Sequence, residues 1–124
     1  MTMKEIASYA NRYSPSAFIE KVRENSRQMG ATLTYKAYLL FYMMTDKNTP
    51  AGSKAVIAGA LAYLVLPMDL IPDFLPVGYA EDFAAVLTAL KTVRGCISPA
   101  VEAKARSMTE VFFGSAAANK ATSN

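Results

Sequence analysis

Apolar residues recur along this chain at helical spacing, and no two-residue alternation persists anywhere. Ile6, Tyr9, Ala10 and Tyr13 follow the i, i+3, i+4, i+7 pattern and predict a short first helix. Ser14 is placed as an N-cap with Pro15 at the first helical position, opening a second helix. Its apolar face is Phe18, Ile19, Val22 and Met29, its polar face carries Glu20, Lys21, Arg23, Glu24 and Arg27, and Gly30 is placed to end it. A third helix is expected from about Thr34 to Thr45, where Tyr35, Tyr38, Leu39, Leu40, Phe41, Tyr42, Met43 and Met44 crowd around a single charge, Lys36.

Thr49-Pro50 repeats the cap-plus-proline signal and predicts a fourth helix running to about Leu66. From Ala55 to Leu66 that helix has no charge on any side, and a helix apolar all round is buried. Pro67 is expected to stop it, because proline lacks the amide donor and pushes its predecessor out of the helical region. Pro72 and Pro76 keep the connection irregular until Gly78. A fifth helix is expected from Tyr79 to Arg94, with Phe83, Val86, Leu87, Leu90 and Val93 as its core stripe and Thr88, Lys91 and Arg94 turned away. After Gly95, Ser98-Pro99 opens a last helix that buries Val101, Ala105, Met108 and Phe112 and closes at Gly114. The expected fold is all-α: a small bundle of five or six helices around a central apolar helical hairpin. It forms one helical domain over 1–114 with the hairpin at 49–95, and the Ala/Ser/Thr/Asn-rich stretch 115–124 is a disordered tail.

Composition narrows the chemistry more than the fold. The 124 residues suit one domain able to bury its own core. With no histidine, neither a Ser-His-Asp nor a Cys-His nucleophile system can be built, and Cys/His zinc sites are excluded. Any metal must take oxygen ligands, which favours magnesium, calcium or manganese. No P-loop and no GxGxxG is present. Cys96 is alone, follows a helix-ending glycine, and reads as a small packed residue rather than a nucleophile. The net charge of +3 is too mild to imply a nucleic-acid partner. The N-terminus has no apolar core of a signal peptide, and a cytoplasmic location is expected, free or at the membrane periphery.

The charges of the hairpin are polarised. Folded back, Lys54 meets Lys91 and Arg94 at one end, while Asp69, Asp73, Glu81 and Asp82 gather at the other with no basic neighbour in sequence. Three readings of the acidic tip stand. In the structural one, Asp69 and Asp73 cap short turns, and Glu81 and Asp82 answer the dipole at a helix start. In the second, the four carboxylates converge as ligands for a hard divalent cation, or hold one carboxyl protonated near neutral pH. In the third, Asp69 or Asp73 pairs with Arg12, Arg23 or Arg106 from elsewhere in the bundle.

The run Ala60-Leu61-Ala62-Tyr63-Leu64-Val65-Leu66-Pro67-Met68-Asp69-Leu70-Ile71-Pro72-Asp73-Phe74-Leu75-Pro76-Val77-Gly78-Tyr79-Ala80-Glu81-Asp82 resembles the signature of the YkvA-like family, a domain of unknown function. The resemblance spans roughly Thr49 to Leu90. It departs from the family pattern by one residue fewer before the glycine and by Glu81-Asp82 in place of an Asp-Asp pair. It carries Pro67, Asp69, Pro72, Asp73, Pro76, Gly78, Glu81 and Asp82 as motif positions. It implies a small bacterial, archaeal or plant protein associated with membranes, and no reaction.

A transmembrane helix needs about 20 apolar residues, and the uncharged run of the fourth helix is shorter and interrupted by acids and prolines. The expected function is therefore a non-enzymatic interaction or scaffold module. Its expected partners are a protein or a second copy, as a homodimer, together with an anionic membrane surface. All 13 basic residues lie outside 55–90, against six of the ten acids. The alternatives are the carboxylate metal or acid/base site at the tip and an integral membrane hairpin.

Overall fold

A computed structural model describes residues 13–70 and 78–122, with the backbone alone for Tyr63, 65–70, 78–83 and Ala85. Among the described residues five α-helices follow in order: α1 (Pro15–Thr45), α2 (Ala51–Leu70), α3 (Gly78–Val93), α4 (Pro99–Phe113) and α5 (Ser115–Thr122), with a 3-10 turn at Arg94–Cys96 between α3 and α4. There is no strand among the described residues. The all-α bundle is as the periodicity predicts. The short first helix expected over Ile6 to Tyr13 falls almost wholly outside the described residues.

Helix α1 is two arms, 15–29 and 31–45, joined at Gly30, which stands at φ 80° and ψ 164°. In a straight helix, residues 18 and 41 would lie about 34 Å apart at 1.5 Å per residue. Instead the rings of Phe18 and Phe41 stack with centroids 4.9 Å apart, and Phe18 meets the edge of Tyr38 at 5.2 Å. The chain folds back on itself at Gly30, the residue whose place after the first apolar stripe predicts a helix end. The second arm starts at once after the glycine, about three residues earlier than its apolar run suggests.

The same device recurs at the other end of the chain. Ser98 caps α4 by accepting the Val101 amide at 3.2 Å, as Ser14 caps α1 by accepting that of Ala17 at 3.4 Å. Each serine precedes a proline at the first helical position, and each arm runs to a glycine of positive φ, Gly30 or Gly114. Gly114 stands at φ 88° and ψ 167°, nearly the conformation of Gly30, and turns α5 back along α4. Arg106 reaches Asn119 across this corner, and Ser115 donates to Glu110 at 2.9 Å. The stretch expected to be a disordered tail is therefore corrected over Ser115–Thr122. It is a helix that buries Ala118 and Ala121. Alanine is the strongest helix former, and a small side chain permits close packing, two properties that its low hydropathy hides.

Two more expectations are corrected. Helix α2 does not stop at Pro67 but continues to Leu70. A proline inside a helix removes one hydrogen bond and costs about 3 kcal/mol, a local defect that the burial of the preceding turns outweighs. Thr49 does not cap α2: the helix opens at Ala51, the Pro50 carbonyl accepts the Lys54 amide at 2.9 Å, and the Thr49 hydroxyl is buried with no partner among the described residues.

Helix α1 packs on each of the other four helices, most extensively on α4, and α2 and α3 pack on one another as the predicted hairpin. Of the uncharged run, Val56 to Ala62 and Leu64 are buried. Val86, Ala89, Leu90 and Val93 line the facing side of α3, while Leu87 of the predicted stripe is exposed. In α4, Val101 and Ala105 are buried as predicted, and Met108 and Phe112 are half-buried against the same core.

Candidate functional site

The hairpin has two ends of opposite charge. At the tip, Pro67 and Asp69 stand on the backbone of α2, and Gly78, Glu81 and Asp82 on that of α3. Pro72, Asp73 and Pro76 lie outside the described residues, and so do the side chains of the tip acids. The expected convergence of those four carboxylates lies outside the described residues. Among the described residues no three acids, cysteines or histidines are grouped as metal ligands. Of the arginines considered as tip partners, Arg106 is engaged elsewhere, with Glu110 at 3.1 Å and with Asn119.

The opposite end is fully described. Helix α1 ends at Thr45, and the turn that follows is held by Asp46, whose Oδ1 accepts the Asn48 amide at 3.0 Å. Its Oδ2 accepts the Ser98 hydroxyl at 3.5 Å, which ties the α1–α2 turn to the α3–α4 connection. That contact places Lys47 of the turn, Lys54 of the first turn of α2, Lys91 of the last turn of α3 and Arg94 of the 3-10 turn at one end of the molecule. Lys91 and Arg94 sit where the α3 dipole favours cations. Among the described residues none of these four makes an ion pair. Lys47, Lys91 and Arg94 are exposed. Two carboxylates share this end among the described residues: Asp46, whose two oxygens each accept a hydrogen bond, and the exposed Glu102 in the first turn of α4, whose amide donates to the Ser98 carbonyl.

The exposed Lys104 flanks this end, its Nζ 6.0 Å from the centroid of the Tyr42 ring. Tyr42, Thr45, Ala103, Lys104, Ser107 and Met108 line an open groove of about 400 Å³ there. Lys54, Lys91 and Arg94 were legible as a group from the sequence. Lys47 and Lys104 were not, because only the Ser98–Asp46 bond and the packing of α4 on α1 bring them near.

The aromatic and methionine-rich stretch 35–44 is core. Tyr35, Tyr38, Leu39, Leu40 and Met43 are buried, and Phe41, Tyr42 and Met44 pack half-buried against them. Burial pushes the Tyr38 phenol up to about 12, with the neighbouring Tyr42 adding to the rise and Arg23 opposing it. Burial alone takes Tyr13 up to about 12. The Tyr38 hydroxyl and the Thr34 hydroxyl are both buried without a partner among the described residues. Cys96 is half-buried against the core, a packed thiol as its sequence context suggests.

Residues 53–88, the hairpin with its acidic tip, match the model of a protein family of unknown function, DUF1232. The chain carries the DUF1232 signature. YkvA-like is the usual family for this domain, so the resemblance read from residues 60–82 holds. No curated protein and no solved structure matches the chain. The DUF1232 match covers α2 and most of α3. It excludes α1, α4 and α5, which supply both Ser-Pro-to-Gly units, and it stops short of Lys91 and Arg94. The biochemical function of the domain is unknown.

Proposed function

We propose that the chain is a non-enzymatic interaction module that docks at the periphery of an anionic membrane surface. The observation that carries this reading is the end formed by Lys47, Lys54, Lys91 and Arg94, four cations without an ion pair among the described residues. A cation near an anionic leaflet contributes about 1 kcal/mol, so four at one end give roughly a thousandfold preference for anionic over neutral lipid at low salt. The acidic tip favours the orientation in which the hairpin points away from that surface. Apolar insertion has less support. The large apolar side chains exposed among the described residues are Leu87 and Val111, on different helices. Among the described residues no helix is long and apolar enough to cross a membrane.

Co-sedimentation of the full chain with vesicles tests this. Binding is expected to vesicles of phosphatidylcholine with 30 mol% phosphatidylserine, not to phosphatidylcholine alone, and to fall away as salt shortens the screening length toward about 3 Å at 1 M. Lys47→Glu with Lys91→Glu and Arg94→Glu is expected to abolish it. Equal binding to both vesicle types, or none to either, sinks the reading.

A second reading, a divalent cation held by oxygen ligands at the tip, is supported by the packing of α2 on α3. That packing sets the helix end that carries Asp69 opposite the helix start that carries Glu81 and Asp82. Magnesium, calcium or manganese is then expected to raise the melting temperature of the wild type and not of Asp69→Asn. No shift with any of the three ends this reading.

A further inference from the structure

The fold-back of α1 hangs on one residue. Gly30 is the single non-helical position between two helical arms, and a methyl group built on it would meet nothing within 4 Å. Only its backbone conformation, in a region essentially reserved for glycine, separates the folded arms from one continuous helix. Thirty-one helical residues would span about 46 Å.

A second observation shows that the folded form leaves something unmade. Thr88, Thr92 and Thr109 each donate their hydroxyl to the carbonyl four residues back, at 2.8, 2.9 and 2.8 Å. For Thr34 that carbonyl belongs to Gly30, whose ψ of 164° turns it out of the helical direction. The Thr34 hydroxyl is left fully buried with no partner among the described residues. Straightening α1 at Gly30 restores that acceptor and the backbone bonds lost at the corner.

The corner at Gly114 differs. Its arms are pinned by a polar chain running from Ser115 through Glu110 and Arg106 to Asn119. The first arm of α1 closes its Ser14 and Asn25 hydrogen bonds within itself, and meets the second arm through stacked rings. Such a contact is re-formed without loss by the same residues of another copy.

We infer that the chain exchanges its first arm with a second copy of itself: Gly30 becomes helical, α1 straightens, and Phe18 of each copy docks between Tyr38 and Phe41 of the other. The two states then share their core contacts. Chain concentration and the conformation of one glycine decide between them. This inference is independent of the membrane reading.

Light scattering coupled to size exclusion, with the full chain in vesicle-free buffer, tests it. Gly30→Ala penalises the folded-back conformation and favours the straight one, so it is expected at twice 13.4 kDa at concentrations where the wild type is largely monomeric. Inserting Gly-Ser-Gly after Gly30 relaxes the corner and is expected to hold the chain monomeric at every concentration. In mixed, isotopically labelled wild type at high concentration, an intermolecular NOE is expected between the Phe18 ring of one copy and the Phe41 ring of the other. A folded, monomeric Gly30→Ala overturns the proposal. If that variant does not fold, a wild type that shows no such NOE at millimolar concentration overturns it.

Discussion

The phenol of Tyr38 shows how one atom can couple this core to pH. Its hydroxyl is buried and unpartnered among the described residues, and an unsatisfied buried polar group costs about 1–3 kcal/mol. Burial, then Tyr42, raises it to about 12, and burial raises Tyr13 as far. Below about pH 10 both the folded and the unfolded chain keep these protons, so stability does not depend on them. Between about 10 and 12 the unfolded chain releases protons that the folded chain retains, and stability falls as pH rises. Tyr38→Phe removes both the orphaned hydroxyl and one titrating group. It is expected to raise unfolding stability at pH 7 by about 1 kcal/mol and to make the alkaline decline shallower, read by urea denaturation at pH 7, 10 and 11. An unchanged alkaline slope would show that Tyr38 is not one of the titrating groups. Gly114→Ala lies on the same scale. Nothing stands within 4 Å of the new methyl group, so the expected loss of about 1–3 kcal/mol comes from backbone strain alone.

Helix boundaries were legible wherever a local rule set them. Ser14-Pro15 and Ser98-Pro99 open helices, and Gly30 and Gly114 end them, because caps and positive-φ glycines act within a few residues. Ser98→Ala is expected to cost about 1 kcal/mol in thermal denaturation, and it also frees the Asp46 carboxylate that ties the basic end together. What the local rules missed depended on distant packing. Pro67 does not end α2, because the hydrogen bond it removes is a local loss in a helix whose preceding turns, Val56 to Ala62 and Leu64, are buried. Thr49 fails as a cap although its sequence context matches that of Ser98. The Ser115–Thr122 helix reads as tail because its apolar face is two alanines, and only a partner surface shows that they are buried. The basic end was partly legible, through Lys54, Lys91 and Arg94, since a hairpin fixes which residues return to the same end. Its remaining cations, Lys47 of the α1–α2 turn and Lys104 of α4, lie outside the hairpin and share no local motif with it.

At the scale of the molecule, the recognisable signature and the stabilising core belong to different parts of the chain. The family match takes in α2 and most of α3, yet α2 is buried on every side from Val56 to Ala62, which one neighbouring helix cannot achieve. Helix α1 supplies the cover, packing on both members of the hairpin, and α4 and α5 in turn pack on α1. A fragment of residues 49–95 therefore exposes the Val56–Leu64 surface to water, and a hairpin of this size has too little core of its own. It is expected to show weak helical circular dichroism and poor proton dispersion in detergent-free buffer, while the full chain gives a cooperative transition. Truncation after Gly114 is the finer test of the same argument. It removes the buried Ala118 and Ala121 and the anchor for Arg106. At about 0.8 kcal/mol per buried methyl group, the truncated chain is expected to lose about 2 kcal/mol and to melt several degrees lower, still in one transition. A truncated chain that melts with the full-length one would return residues 115–122 to the role of a tail. Helix α1, which covers the hairpin, would then be backed by α4 alone.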